Sequence, residues 1–298
     1  MADPTLPAAV SGERHEITGR AGRLSYYVAG EGEPLLLIHS INAAASAFEM
    51  SPIFERMKAT RRVYAVDLPG YGFSDRSDRP YNIQLFVDAV REMSDLIARE
   101  CGERAVDAVA LSLSAEFLAR AAAERPERFR TITLVTPTGF NRSGAKRRGP
   151  AGKSLEVRGL YKSLTFPLWG EGLFKVLVSE KSVRYFLRRT FGSKDVPPEL
   201  VRYSYLTSHQ PGASRAPFAF LSARLFSADI RNLYESLTLP VFVPHGTRGD
   251  FADFSGAEWA RDRANWHFMP FQAGALPHFE QLEPFLAAFE EFLAQESI

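Results

Sequence analysis

The spacing of apolar and polar positions changes period several times along the chain, and the changes mark out elements. Residues 13–17 and 24–29 alternate, which predicts two strands joined as a hairpin through Gly19 and Gly22. Pro34–Ile38 is a continuous apolar run, as expected of a central strand buried on both faces. Residues 62–66, Val106–Leu111, 131–135, 239–244 and Trp266–Phe271 predict five further strands. Helical spacing lies between and after them. Residues 82–98 place Phe86, Ala89, Val90, Met93 and Ile97 on one face, and 115–124 do the same with Phe117, Leu118, Ala121 and Ala122. Leu282, Phe285, Leu286, Phe289, Phe292 and Leu293 give an amphipathic closing helix. Strands that alternate with helices in this way predict an α/β fold built on an eight-stranded, mostly parallel sheet with helices on both faces.

One region breaks the alternation. Residues 141–235 contain no buried-strand run but many aromatics, and read as a helical cap inserted after the sixth strand. The expected organisation is a core of residues 1–140 and 236–298 with a cap of 141–235. The cap holds 17 Lys and Arg against 7 Asp and Glu, a charge of +10, and leaves about −9 on the rest. Solvated basic helix faces account for such an excess, and so would an anionic substrate, an acidic partner or a membrane surface. Residues 139–152, with Arg142, Lys146, Arg147 and Arg148, are expected to form a flexible segment at the mouth of a cleft.

The net charge of +1 implies no nucleic-acid partner, and 298 residues at 45% hydrophobic suffice for one large core. A single cysteine, Cys101, excludes an intramolecular disulfide framework. Residues 1–12 read as a loose leader without a basic start and apolar run. No signal peptide or transmembrane segment is therefore expected, and a cytoplasmic location is. Neither a metal-ligand cluster nor a phosphate-cradling glycine loop is present, so no cofactor is implied. The oligomeric state is not legible.

The candidate chemistry begins where the strand Val106–Leu111 becomes a helix across Ser112-Leu113-Ser114. So short a bend needs small flanking residues, here Ala110 and Ser114. It holds the apical Ser112 clear of the sheet beside the free N–H groups of a helix N-terminus. An ordinary turn with a helix-capping serine has the same pattern. This segment resembles the nucleophile elbow of the α/β-hydrolase superfamily, with both of its usual glycines replaced. Asp67-Leu68-Pro69-Gly70-Tyr71-Gly72-Phe73-Ser74 is similar to another segment of that family, where the acid braces a loop. His39-Ser40-Ile41 follows the strand that ends in His-Gly in the family. The resemblance implies that Ile41 and Leu113 donate N–H groups to an oxyanion hole. His39, a histidine at a strand end, is expected to brace its loop through backbone hydrogen bonds rather than to do chemistry.

The resemblance also implies an acid after the seventh strand and a histidine after the eighth. Gly246 to Asp250 is one residue longer than the family's Gly-x-x-Asp, which makes Asp250 the candidate acid and Asp253 the fallback. The family segment Gly-His-x-Pro-x-x-Glu appears as Gly274-Ala275-Leu276-Pro277-His278-Phe279-Glu280, with alanine at the histidine position. Either the loop is reshaped and His278 is the base, or the natural protein lacks that base, or Ala275 is an engineered replacement. The expectation is a serine-dependent hydrolase of a small ester or related acyl compound with an apolar part, one that can also be anionic. Ser112 would attack, His278 take its proton and Asp250 orient His278. The alternatives are a catalytically silent binding protein of the same fold and a cofactor-free lyase or isomerase.

Overall fold

The structure, a computed structural model, describes residues 5–296. The strands are β1 (Glu13–Gly19), β2 (Gly22–Ala29), β3 (Pro34–Ile38), β4 (Arg62–Asp67), β5 (Val106–Leu111), β6 (Phe129–Val135), β7 (Val241–Gly246) and β8 (Trp266–Phe271). They form one sheet in the order β1-β2-β4-β3-β5-β6-β7-β8. β2 is antiparallel to both of its neighbours, and every pairing from β4 to β8 is parallel. Every residue of β3 and β5 is buried, as expected of strands covered on both faces, and the one charge among them, Asp107, is paired with Arg61 and Arg130.

The helices on the core are α1 (Ser51–Met57), α2 (Ile83–Glu100) and α3 (Ser114–Glu124). The apolar stripes of α2 and α3 cover one face of the sheet through Phe86, Val90, Met93, Phe117 and Leu118. On the other face Ile53 and Phe54 of α1 meet Phe285, Phe289 and Phe292 of the closing helix. Asn82 starts α2 by accepting from Leu85 N–H at 3.0 Å.

Between β6 and β7 lie α4 (Leu160–Leu164), α5 (Gly170–Leu177), α6 (Glu180–Phe191), α7 (Pro198–Ser208), α8 (Arg215–Leu221) and α9 (Ile230–Glu235). Phe174, Val178, Ala213 and Phe218 give this insertion a small core of its own. Two buried acid contacts tie it to the sheet. Arg120 of α3 pairs with Asp229 at 2.7 Å. Glu116, also on α3, accepts from Thr138 Oγ1 at 2.6 Å and Ser227 N–H at 2.7 Å, and burial raises its pKa. After β7 come α10 (Glu258–Arg261), α11 (Pro277–Glu280) and α12 (Leu282–Gln295). Among the described residues no helix is long and apolar enough to cross a membrane.

The leader differs from its expectation. Residues 1–4 lie outside the described part, but Leu6, Ala9 and Val10 are buried. Tyr203 Oη donates to Pro7 O at 2.8 Å, and Ala9 N–H donates to Tyr27 Oη at 3.1 Å. Three apolar side chains out of water and two buried hydroxyls given partners hold residues 6–10 against the core.

Candidate active site

Ser112 sits between β5 and α3 with φ of +56°, a left-handed conformation that non-glycine residues seldom adopt. Its neighbours hold it there. Ser112 N–H donates to Val135 O of β6 at 2.9 Å, and Ala115 N–H donates to Ser112 O at 3.2 Å. The substituted glycine positions have physical uses. Ala110 is fully buried beside Ile38 of β3. Ser114, also buried, donates its hydroxyl to His39 O at 2.6 Å and so ties the elbow to the end of β3. Such backbone strain, of order 1–3 kcal/mol, persists only where the surroundings over-determine it.

The loop after β3 is held just as firmly. His39 Nδ1 lies 2.6 Å from Ser40 O, while Nε2 accepts from Leu68 N–H at 2.9 Å. With both nitrogens engaged and the ring buried, desolvation lowers the His39 pKa to about 4 and the imidazole is neutral. Ser40 replaces the family's glycine, and its N–H donates to Glu49 Oε2 at 2.8 Å. Asn42 Nδ2 donates to Ser40 Oγ and Glu49 Oε1, each at 2.8 Å. Asp67 braces the neighbouring loop by accepting from Ala47 N–H at 2.9 Å and Phe73 N–H at 3.0 Å. Its pKa is raised by burial. Among the described residues the N–H groups of Ile41 and Leu113 have no hydrogen-bond partner, and neither has the Ser112 hydroxyl. Ile41 and Leu113 are themselves buried.

The structure does not bring His278 and Asp250 to that hydroxyl, which corrects the expected relay. His278 is fully buried; its ring packs on Phe279 and Phe285, and Nε2 is 2.8 Å from Glu49 O. A donor proton on Nε2 satisfies that carbonyl and leaves Nδ1 bare, and Nδ1 has no partner. Burial lowers the pKa of this ring to about 4. Asp250 is exposed, and Arg189 Nε on α6 donates to its Oδ2 at 2.5 Å. The extra residue in the loop after β7, with Gly249 at φ of +82°, takes the acid out to the insertion instead of inward. Asp253 is also exposed and accepts from Ser255 N–H at 3.0 Å.

Ala275 is buried in the loop between β8 and α11, and its N–H donates to Thr190 O at 2.8 Å. Glu280 accepts from Gly274 N–H at 2.6 Å and pairs with Arg248. Structural contacts therefore occupy this loop, and no imidazole does.

A cavity of about 340 Å³ opens beside the loop after β3. Asn42, Ala43, Ala44 and Glu49 line its inner side, and Val183, Phe186, Leu187, Phe220 and Leu221 of the insertion its outer side. Arg189 and Asp250 stand at its wall. Ser112 is half-buried and is not among the lining residues.

Sequence reasoning missed two residues here. Glu49 is a buried carboxyl in the cavity wall, which burial holds above the usual carboxylate range. Its signal was a lone acid between apolar residues in Ala47-Phe48-Glu49-Met50. Thr136 follows Val135, which pairs with Leu111 just before Ser112. It is a β-branched residue at φ of +44° with a buried, unpartnered hydroxyl. Nothing in its local sequence announces that conformation.

The sequence profile of the alpha/beta hydrolase family matches residues 35–288. The chain belongs to that family. It is 29% identical over 128 residues to a 2-hydroxymuconate semialdehyde hydrolase of Pseudomonas sp. (strain CF600), covering 42% of this chain and 44% of that protein. The matched part thus spans less than half of that relative's length. A 2-(acetamidomethylene)succinate hydrolase of Mesorhizobium japonicum is 26% identical over 224 residues, 73% of this chain and 71% of its own. Among solved structures, a thermophilic esterase of Thermogutta terrifontis superposes with a TM-score of 0.69 at 20% identity, covering 95% of this chain and 99% of that one. At that identity the likeness speaks for the fold.

Proposed function

We propose that this protein hydrolyses a small acyl compound at Ser112, and does so slowly. The observation that carries the reading is the strained Ser112 turn, with unpartnered N–H groups on Leu113 next to it in the chain and on Ile41 of the loop after β3. Ser112 Oγ adds to the acyl carbon, and the carbonyl oxygen takes up the negative charge between the two N–H donors. The leaving group departs, and water then releases the acyl group from Ser112. The serine proton has no imidazole to receive it and passes to water or to a carboxylate on the substrate. Preorganised donors and binding alone are worth roughly 10³–10⁴ over the uncatalysed reaction, which sets the scale of activity.

The apolar cavity favours a substrate with an apolar body. Arg189 at its wall is a cation for a carboxylate, which would displace Asp250 from the pair. The muconate and succinate derivatives named for the relatives are carboxylates, which agrees with this choice.

A second reading, a catalytically silent binding protein, is favoured by one observation: His278 spends its Nε2 on Glu49 O. A fluorophosphonate separates the two. Slow, stoichiometric labelling abolished by Ser112→Ala supports hydrolysis, whereas no labelling over hours alongside ligand binding in the cavity supports the silent protein.

A further inference from the structure

Sequence and structure divide α5 into two stripes. Gly170, Phe174 and Val178 face inward and are buried. Trp169, Leu173 and Val176, at positions i, i+4 and i+7, face outward and are 51%, 45% and 69% exposed. Leu168 beside them is 85% exposed and Phe166 41%. The Phe166 and Trp169 rings lie 4.4 Å apart between centroids, and the indole N–H donates to Ser163 O at 2.9 Å. The indole thus offers an apolar plane with its only donor already satisfied. Apolar side chains gathered on one helix face and left about half exposed or more are not accounted for by the core of the fold.

The charge around this face is one-sided. Residues 158–194 hold eight Lys or Arg and two Asp or Glu, a net +6. Lys162, Lys175 and Lys181 are exposed and have no ion pair among the described residues. A Trp-, Phe- and Leu-bearing face rimmed by free lysines is the composition of a helix that lies in the interface of an anionic bilayer. A second copy of this chain packed face to face would bring the same positive field against itself, whereas an anionic bilayer matches both the apolar stripe and its basic rim.

We infer that the α4–α5 face docks on an anionic membrane surface, with Trp169, Leu168 and Val176 in the acyl boundary and the lysines at the headgroups. Leu177, the next residue of α5, lines the cavity, so the docked face adjoins the site's outer wall. An apolar ligand held in the bilayer would then have a short path to it.

The test is co-sedimentation of the full chain with vesicles of phosphatidylcholine alone and of phosphatidylcholine with 30% phosphatidylglycerol. Trp169 insertion is read by quenching with brominated lipid. Binding is expected to the anionic vesicles only, to weaken with salt, and to quench tryptophan fluorescence in the wild type but not in Trp169→Phe. Lys162→Gln/Lys175→Gln/Lys181→Gln should weaken it roughly a hundredfold, at about fivefold per lysine. Leu168→Ser/Trp169→Ser should weaken it at least tenfold. All of these side chains are exposed, so an unchanged melting temperature shows that the variants fold. No vesicle binding by the wild type, or binding that survives both variants, overturns the inference. So does a concentration-dependent dimer that these variants abolish in the absence of vesicle binding.

Discussion

His278 shows how one side chain's surroundings decide its use. A base for Ser112 needs a free nitrogen facing the serine, with the other held by an acid. In this chain Nε2 is tied to Glu49 O, and the ring is shut among Phe279 and Phe285. That placement predicts a pH effect on stability. The folded pKa is depressed to about 4 from an ordinary value of 6.5, so the unfolded chain binds the proton more readily. The contribution of His278 is complete above pH 6.5 and is lost as pH falls toward 4. Comparing the wild type with His278→Gln in urea unfolding at pH 7.5 and pH 5, the wild type should lose about 2 kcal/mol relative to the variant. Glutamine can retain a donor to Glu49 O, and neighbouring groups such as Glu49 titrate in both proteins. A gap that stays constant with pH would mean that the folded ring titrates like the unfolded one, as an exposed imidazole does.

At the scale of elements, the loops after β7 and β8 are packed directly on one another. A Cβ at Gly246 would run into the Gly274 carbonyl, and one at Gly274 into the backbone of Phe191. Gly246→Ala should therefore destabilise the fold by about 3 kcal/mol, measured by chemical unfolding, since neither contact can yield through a flexible side chain. Ala275→His at the same loop tests whether the serine lacks only a base. It should raise the turnover of a short p-nitrophenyl ester at least about tenfold, and only while Ser112 is present.

The elements themselves were legible. Pro34–Ile38 and Val106–Leu111 could be read directly because buried strands write themselves as largely apolar runs, and Trp266–Phe271 was legible by its aromatic residues although only its two ends are buried. The Ser112 turn was legible from the abrupt change between strand and helix periods. The course of a loop leaves no such periodic signal. One inserted residue carried Asp250 to Arg189, and the Ser114 hydroxyl bond to His39 O replaced a glycine in a way no spacing encodes. The leader's docking depends on Tyr27 and Tyr203, which are distant in sequence.

Over the whole molecule, charge is divided between a basic insertion at +10 and an acidic remainder at about −9. Near the cavity, Arg189 belongs to the basic side. Such a field draws anions in and is screened over about 8 Å at physiological salt. The KM of a carboxylate-bearing ester should therefore rise several-fold between 20 and 300 mM salt, while that of a neutral ester of equal size should change little. Equal salt responses would show that the field does not act on the substrate.

The most direct test of catalysis at Ser112 without a histidine base is kcat for a short-chain p-nitrophenyl ester in the wild type, Ser112→Ala and His278→Gln, assayed side by side. Ser112→Ala should fall to the buffer rate, while folded His278→Gln should stay within about fivefold of the wild type, because only the serine meets the acyl carbon. If Ser112→Ala matched the wild type, or His278→Gln fell as far as Ser112→Ala, catalysis at Ser112 without a histidine base would be ruled out.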